Sequence, residues 1–269
     1  MSIIIADIGA SNARFAILKK GKISDSYQFS CDDFKSPETL ISLFKNVYAP
    51  NATSLLIGAA GVVVKNKVHW TNRAWQLDGD KLKKKLALKY VLLKNDVEVQ
   101  CMALARLKTN DFKVLQKGNV LSGPKVLLSI GTGVGAAYLL NNTVFATEYG
   151  QTIVEKNLVL EKTLSHLPAN KTSVFAKNHQ RQGATCQKFY QHLAHIVMNM
   201  ILTLKATGGV YMYGSMLDEK MLQQEKFVAK VLNHPTMKCF LQTIPIVLIK
   251  RQNLAFMGLK ELARKSGLS

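Results

Sequence analysis

The chain opens on an apolar run, Ile3-Ile4-Ile5-Ala6, closed by Asp7 and a glycine turn, and residues 13–18 then alternate in part between apolar and polar positions. A short apolar run bounded by turn residues predicts a buried strand, and the partial alternation predicts a second strand paired with it as a β-hairpin. Lys20-Gly21-Lys22 supplies another turn, and residues 23–29 read as a third strand. Pro37 opens a helical segment through Tyr48, where Leu40, Ile41, Phe44 and Val47 share one face. Residues 55–61 form a second buried run ending in small residues, and residues 92–96 end a further strand before a helix predicted from Val97. Antiparallel strands, a helix and another strand in this order are not the simple alternation of a Rossmann sheet.

The pattern then recurs. Residues 126–130, the turn Gly131-Thr132-Gly133-Val134-Gly135, and residues 136–140 repeat the opening order of apolar strand, glycine-rich turn and apolar strand. Two copies predict two related lobes. A helix over about residues 185–205, a strand and turn over 208–215, a strand at 244–249 and a terminal helix over 253–265 complete the reading.

Each copy offers a place for phosphate. In Asp7-Ile8-Gly9-Ala10-Ser11-Asn12, glycine permits close backbone approach, and successive N–H groups with the Ser11 and Asn12 side chains can cradle phosphate oxygens. Asp7 is a candidate to hold Mg²⁺ through water, since that ion keeps several of its waters. The same residues also suit a plain hairpin turn. The turn over 131–135 lacks the following helix and acidic residue of a dinucleotide fingerprint, and neither turn is followed by the G-K-S or G-K-T of a Walker loop. A pair of strand-turn-strand phosphate loops remains, with Thr132 the side-chain contact in the second. Asn95-Asp96 ends an apolar strand at a helix start. There Asp96 is either an N-cap or a base that accepts a sugar hydroxyl proton, with Asn95 orienting another hydroxyl.

Composition narrows the class. With 269 residues, 48% of them hydrophobic, the chain can fill two cores. Hydrophobic runs such as residues 196–204, interrupted by Asn199, fall far short of the ~20 apolar residues of a membrane span, so no membrane partner is expected. The opening residues carry no basic leader, and Cys31, Cys101, Cys186 and Cys239 form no C-x-x-C pair. A cytoplasmic protein without disulfides or zinc knuckles is the expectation. The formal charge of +19 attracts polyanions, but it comes from 30 lysines and only six arginines, and arginine is the usual reader of bases and phosphates. A solvated lysine-rich surface follows, with the lysines of 81–85 on the exposed side of a helix. Nonspecific polyanion binding stays open, and no specific nucleic-acid partner is expected. His192 and His195 share a helix face without a supporting acid, and Met198 and Met200 read as core filler.

These motifs together resemble the bacterial glucokinase family, in the hexokinase, actin and Hsp70 ATPase superfamily. The first phosphate motif of that family resembles residues 7–14, its T-N-x-x-W segment Thr71-Asn72-Arg73-Ala74-Trp75, and its sugar-binding and catalytic pair Asn95-Asp96. Its second phosphate motif resembles residues 130–135, its G-E-G-G-H region Glu148-Tyr149-Gly150-Gln151, and its adenosine-side strand and turn residues 208–215. The matches keep family order and reach residues 253–258.

The resemblance implies an α/β fold of two ribonuclease H-like lobes, the actin-like ATPase and hexokinase fold, with an interlobe active-site cleft that closes on hexose. The small lobe is expected over 1–106 with 254–269, and the large lobe over 107–253. The implied activity is ATP- and Mg²⁺-dependent phosphorylation of glucose or a related hexose at its 6-hydroxyl, an entry to glycolysis, with Asp96 as base. Asn95, Asp96, Asn72, Glu148 and Gln151 would contact sugar. Asp7, Gly9, Ala10, Ser11, Asn12, Gly131, Thr132, Gly133, Gly135, Gly214 and Ser215 would contact nucleotide, with Asp7 also on Mg²⁺. A homodimer is compatible with the family. The departures are Gln151 in place of a histidine, the lack of a carboxylate over 171–174, Ala176-Lys177-Asn178-His179 in place of an S-G-P-G segment, and Gly214-Ser215 in place of paired glycines. A missing polar contact predicts sugar affinity roughly tenfold or more below that of a complete set. The alternative is a weakened homologue that binds sugar or nucleotide as a sensor.

Overall fold

Three successive isoleucines, Ile3 to Ile5, are almost fully buried because the strand that holds them lies inside a sheet covered on both faces. The computed structural model describes residues 2–131, 133–155, 158–159, 183–223 and 225–268. The chain divides into two units, Met1–Leu107 with Gln252–Ser269, and Lys108–Arg251.

The first unit contains β1 (Ser2–Ile8), β2 (Asn12–Lys19), β3 (Lys22–Ile23), β4 (Tyr27–Ser30), α1 (Pro37–Val47), β5 (Ser54–Ala59), β6 (Gly61–Val64), β7 (Lys67–Trp70), β8 (Gln76–Asp78), α2 (Gly79–Lys85), β9 (Tyr90–Asn95) and α3 (Asp96–Met102). Its main sheet runs β3-β2-β1-β5-β9, with β4 also paired to β2. β1 is antiparallel to β2 and parallel to β5, and β5 is parallel to β9. Alternate residues of a strand face opposite sides. Ile4, Ala6 and Ile8 accordingly share a core with Leu40, Ile41 and Phe44 of α1, while the C-terminal helix packs against β1, β5 and α3.

Two local expectations are corrected. The stretch 23–29 is two strands, because Ser24 Oγ accepts from Ile17 N at 2.9 Å and donates to the carbonyl of Asp25, which interrupts the ladder. Helix α1 ends at Val47, which is 59% exposed, and Tyr48 instead stacks on Phe44 at 5.3 Å. The small sheet β6-β7-β8 gave no clear signal in the sequence.

The second unit contains β10 (Phe112–Gln116), β11 (Lys125–Ile130), β12 (Val134–Leu140), β13 (Thr143–Thr147), β14 (Ile153–Glu155), β15 (Leu158–Val159), α4 (Gly183–Leu204), β16 (Val210–Tyr213), α5 (Glu219–Gln223), α6 (Glu225–Val231), α7 (Lys238–Gln242) and β17 (Ile246–Ile249); α8 (Leu254–Lys265) returns to the first unit. Its sheet runs β10-β17-β16-β11-β12-β13, with β11 antiparallel to β12 and parallel to β16. Read from β13 to β17 this repeats β3-β2-β1-β5-β9, the doubled ribonuclease H-like arrangement. Leu193, Ala194, Val197 and Ile201 of α4 fill the second core, while His192 and His195 face out. Among the described residues no helix is long and apolar enough to cross a membrane, and no group of three metal-ligating side chains forms.

Candidate active site

Strand register decides which residues meet in the first unit. Ile8 pairs with Ala59 and Ala59 with Asn95, so the carboxyl ends of three parallel strands lie level at one edge. That edge is where sheets of this kind bind ligands. It carries the turn after β1, the loop that follows β7, and the start of α3.

The turn after β1 is closed by a hydrogen bond from Gly9 N to the Asn12 carbonyl at 2.9 Å. Its four successive carbonyl oxygens are all directed at protein donors. Ile8 O accepts from Trp70 Nε1 and from Ala60 N, each at 3.1 Å. Gly9 O accepts from Cys31 Sγ at 3.7 Å, Ala10 O from Arg73 Nη1 at 3.0 Å, and Ser11 O from Cys31 N at 2.8 Å. Engaging the carbonyls in this way weakens the repulsion that would oppose an anion beside the backbone. Ser11 and Asn12 are exposed at the tip, where Asn12 Oδ1 accepts from Gln28 Nε2 at 3.3 Å. Asp7 is buried beneath the turn and paired with Arg14 across the hairpin. Burial pushes its carboxyl above the usual range, opposed by the Arg14 charge and hydrogen bond.

At the end of β9 the cap is Asn95. Its Oδ1 accepts from Val97 N at 3.0 Å and Glu98 N at 3.1 Å, and its Nδ2 donates to the Gly61 carbonyl at 3.1 Å. Asp96 is therefore the first helical residue, one position earlier than predicted, and the cap is its neighbour. Its half-buried carboxylate accepts from Val97 N through Oδ1 at 2.9 Å. Asn72 is exposed in the loop after β7, which Thr71 N ties to Ala60 O at 3.3 Å.

The second unit places its candidates by the same logic. Ser129 pairs with Tyr213, so the turn after β11 and the turn after β16 lie side by side at neighbouring carboxyl ends. Gly131 N donates to Gly133 O at 2.9 Å. Gly214 has φ +136°, and a Cβ there would lie 2.0 Å from the Ile130 carbonyl oxygen. A Cβ on Gly131 would meet open space. Ser215 is exposed, and Gly135 sits within β12 opposite Ser129. Glu148 and Gln151 are exposed at the ends of a short helical turn, where Gln151 N donates to Glu148 O at 2.9 Å. Gly150 between them lies flush on β12, with space for a Cβ closed by the Val134 carbonyl at 2.0 Å. Thr132 lies outside the described residues, as do segments 171–174 and 176–179.

The sequence profile of the Glucokinase family matches residues 4–167 and 151–266. The chain belongs to the glucokinase family. It is similar to a glucokinase-like protein of Xylella fastidiosa, 24% identical over 310 residues that cover 96% of this chain and 93% of the relative. Its fold is similar to that of a glucokinase from an Antarctic psychrotroph, with a TM-score of 0.79 at 20% identity over 98% of this chain and 99% of that one. A ROK-family glucokinase from Streptomyces griseus, solved with glucose and AMPPNP, superposes with a TM-score of 0.70 at 13% identity over 98% of this chain and 100% of the other. The mixed α/β architecture is thus that of glucokinases and ROK-family kinases of the actin-like fold.

Within this glucokinase-family chain, sequence reasoning missed the residues that brace the first turn. Trp70, Cys31 and Arg73 all bond to backbone carbonyls. A carbonyl carries no sequence signature, so the only available signal was the position of the Thr71 to Trp75 segment in the family motif.

Proposed function

We propose that the chain is an ATP-dependent hexose kinase that phosphorylates glucose or a related hexose at the 6-hydroxyl. The observation that carries the reading is the register Asp7–Gly58–Lys94, with Asn95 and Asp96 following. It sets the base candidate two strand spacings from the phosphate turn, on the order of 10 Å. In this reading backbone N–H groups and the Ser11 and Asn12 side chains at the first turn hold phosphate oxygens, with Gly9 and Ala10 allowing close approach. In the second unit, residues 131–135 take the same role and Gly214 and Ser215 contact the nucleoside.

Asp96 accepts the proton of the hexose 6-hydroxyl as that oxygen attacks the γ-phosphorus. The new O–P bond forms as the bond to the β,γ-bridging oxygen breaks, and ADP leaves with that electron pair. Asn95 keeps Asp96 in place by capping α3, and the second hydrogen of its amide is suited to a sugar hydroxyl. Asn72, Glu148 and Gln151 complete the sugar contacts; Gln151 exchanges hydrogen bonds but takes no proton at neutral pH. Mg²⁺, when bound, would neutralise phosphate charge. Asp7 offers it one hard oxygen ligand, and an anchor through water fits a carboxylate already paired with Arg14.

Gly131 supports this assignment independently. It has no positive φ, and among the described residues no neighbour lies within 4 Å of a Cβ built there, so nothing described in the fold calls for glycine, whereas close approach of a ligand would. The test is a coupled assay with ATP, Mg²⁺ and a panel of common hexoses. Turnover with glucose or another hexose is expected, with weak apparent sugar affinity. Binding without turnover on any hexose would replace the kinase with a sensor of sugar or nucleotide.

A further inference from the structure

Arg73 is one of six arginines in a lysine-rich chain, and its guanidinium joins three separate segments. Nη1 donates to the Ala10 carbonyl at 3.0 Å and to Asp32 Oδ1 at 2.7 Å, while Nη2 donates to the Cys31 carbonyl at 2.8 Å. The guanidinium carbon lies 4.3 Å from the centroid of the Trp75 ring, and Trp75 is buried and in edge contact with Trp70. Arg73's own carbonyl accepts from Trp75 N at 2.7 Å, which fixes the loop that presents the side chain. A planar fork stacked on an aromatic face can serve two carbonyls at once; an ammonium group on a flexible stem cannot keep that geometry.

The bonds are unequal in consequence. The Asp32 side chain is 79% exposed, so its ion pair with Arg73 is a solvent-screened contact of small worth. Ala10 O belongs to the turn, and Cys31 donates to the carbonyls of Gly9 and Ser11 on either side of it. Holding Ala10 O and Cys31 O together therefore fixes the orientation of the peptide groups across the turn. Backbone N–H groups can bind phosphate strongly only if they are already aimed, because aiming them at the moment of binding subtracts from affinity.

We propose that Arg73 is the positioning residue for the nucleotide turn: it touches no ligand and sets nucleotide affinity by holding the Ala10 carbonyl. The inference rests on the reading of residues 7–12 as a phosphate site. Calorimetry on the full chain, with AMPPNP plus Mg²⁺ and separately with glucose, compares the wild type with Arg73→Lys, Arg73→Ala and Asp32→Asn. Arg73→Lys should weaken AMPPNP by about tenfold, the loss of a charge-assisted bond that lysine cannot replace, and leave glucose affinity within twofold. Asp32→Asn should leave both unchanged, and millimolar guanidinium should restore part of the AMPPNP affinity of Arg73→Ala. Should Arg73→Ala fail to fold, Arg73→Lys decides alone, since its stem still covers Trp75. AMPPNP affinity within twofold of wild type in Arg73→Lys, or equal weakening of both ligands, would overturn the positioning role while leaving the kinase reading intact. A wild type that binds no AMPPNP would overturn the phosphate site itself.

Discussion

The two glycine turns occupy equivalent places in two sheets of the same strand order, yet they are held by different means. The turn after β1 is braced by side chains, through Trp70 to Ile8 O, Cys31 to Gly9 O and Arg73 to Ala10 O. The turns of the second unit rest mainly on backbone contacts among the described residues, with the Tyr190 hydroxyl accepting from Asp218 N at 2.9 Å beyond the turn after β16. Gly131 N meets Gly133 O, Met216 N meets Ile130 O at 3.3 Å, and Gly214 brings its backbone against Ile130. Equivalent topology thus permits two ways of fixing a loop, one sensitive to the loss of a donor and the other to the gain of a methyl group.

The largest effect should come from Gly214→Ala. Its φ of +136° and the 2.0 Å approach to Ile130 O leave no room for a methyl group. Strain and overpacking together should cost about 2 to 5 kcal/mol, read as a lower midpoint in urea. A near-neutral result would mean that the turn can shift and that backbone contact does not fix it.

The first unit should be the acid-sensitive one. Buried Glu261 of α8 accepts from Arg106 Nε at 2.8 Å and from Arg264 Nη2 at 2.7 Å. Hydrogen bonds from Arg264 and then Arg106 outweigh the desolvation that opposes them and hold its carboxyl down at about 2, from an ordinary 4.5. A carboxyl lowered on folding stabilises the native state above its unfolded pKa, and that stability is lost as pH falls from about 4.5 toward 2. Both arginines are about half exposed, so the contribution is on the order of 2 kcal/mol rather than the full shift. Asp7 acts with the opposite sign, because burial raises its carboxyl and protonation relieves it. Glu261→Gln should flatten the acid limb of a stability-against-pH curve between about 4.5 and 2; an unchanged limb would remove this triad as its cause.

Smaller effects separate bracing from packing. Trp70→Phe keeps most of the buried ring but loses the donor to Ile8 O, which retains its bond from Ala60 N. A loss of about 1 kcal/mol is expected by thermal unfolding. Gly131→Ala should change stability by less than about 0.5 kcal/mol, because its Cβ would meet open space. Its AMPPNP affinity should nevertheless fall. Unchanged affinity would remove that residue from the nucleotide site.

Much of the fold was legible because burial and period agree. Ile3 to Ile5 read as a covered strand and are one, and the apolar residues of α4 fall on the face that fills the second core. The strand Asn95 ends was legible too, but the division of labour between Asn95 and Asp96 was not, since both residue types cap helices well and only geometry shows which one does. The break at Ser24 was hidden because a hydroxyl that competes for a ladder hydrogen bond looks like any polar residue on a strand. The bracing of the first turn was the least legible part. Arg73 and Ala10 are 63 positions apart and meet through a carbonyl that every residue possesses.

In the proposed reaction the residue after β9 is the base of a phosphoryl transfer for which the turn after β1 holds the nucleotide. That role is tested most directly by measuring hexose phosphorylation with saturating ATP, Mg²⁺ and glucose in the wild type and in Asp96→Asn, alongside AMPPNP binding to both. The expected result is sugar phosphate from the wild type, a loss of roughly a hundredfold or more in kcat for Asp96→Asn, and AMPPNP affinity within about twofold, because Asn95 still caps α3. Turnover by Asp96→Asn within a few-fold of wild type would contradict it.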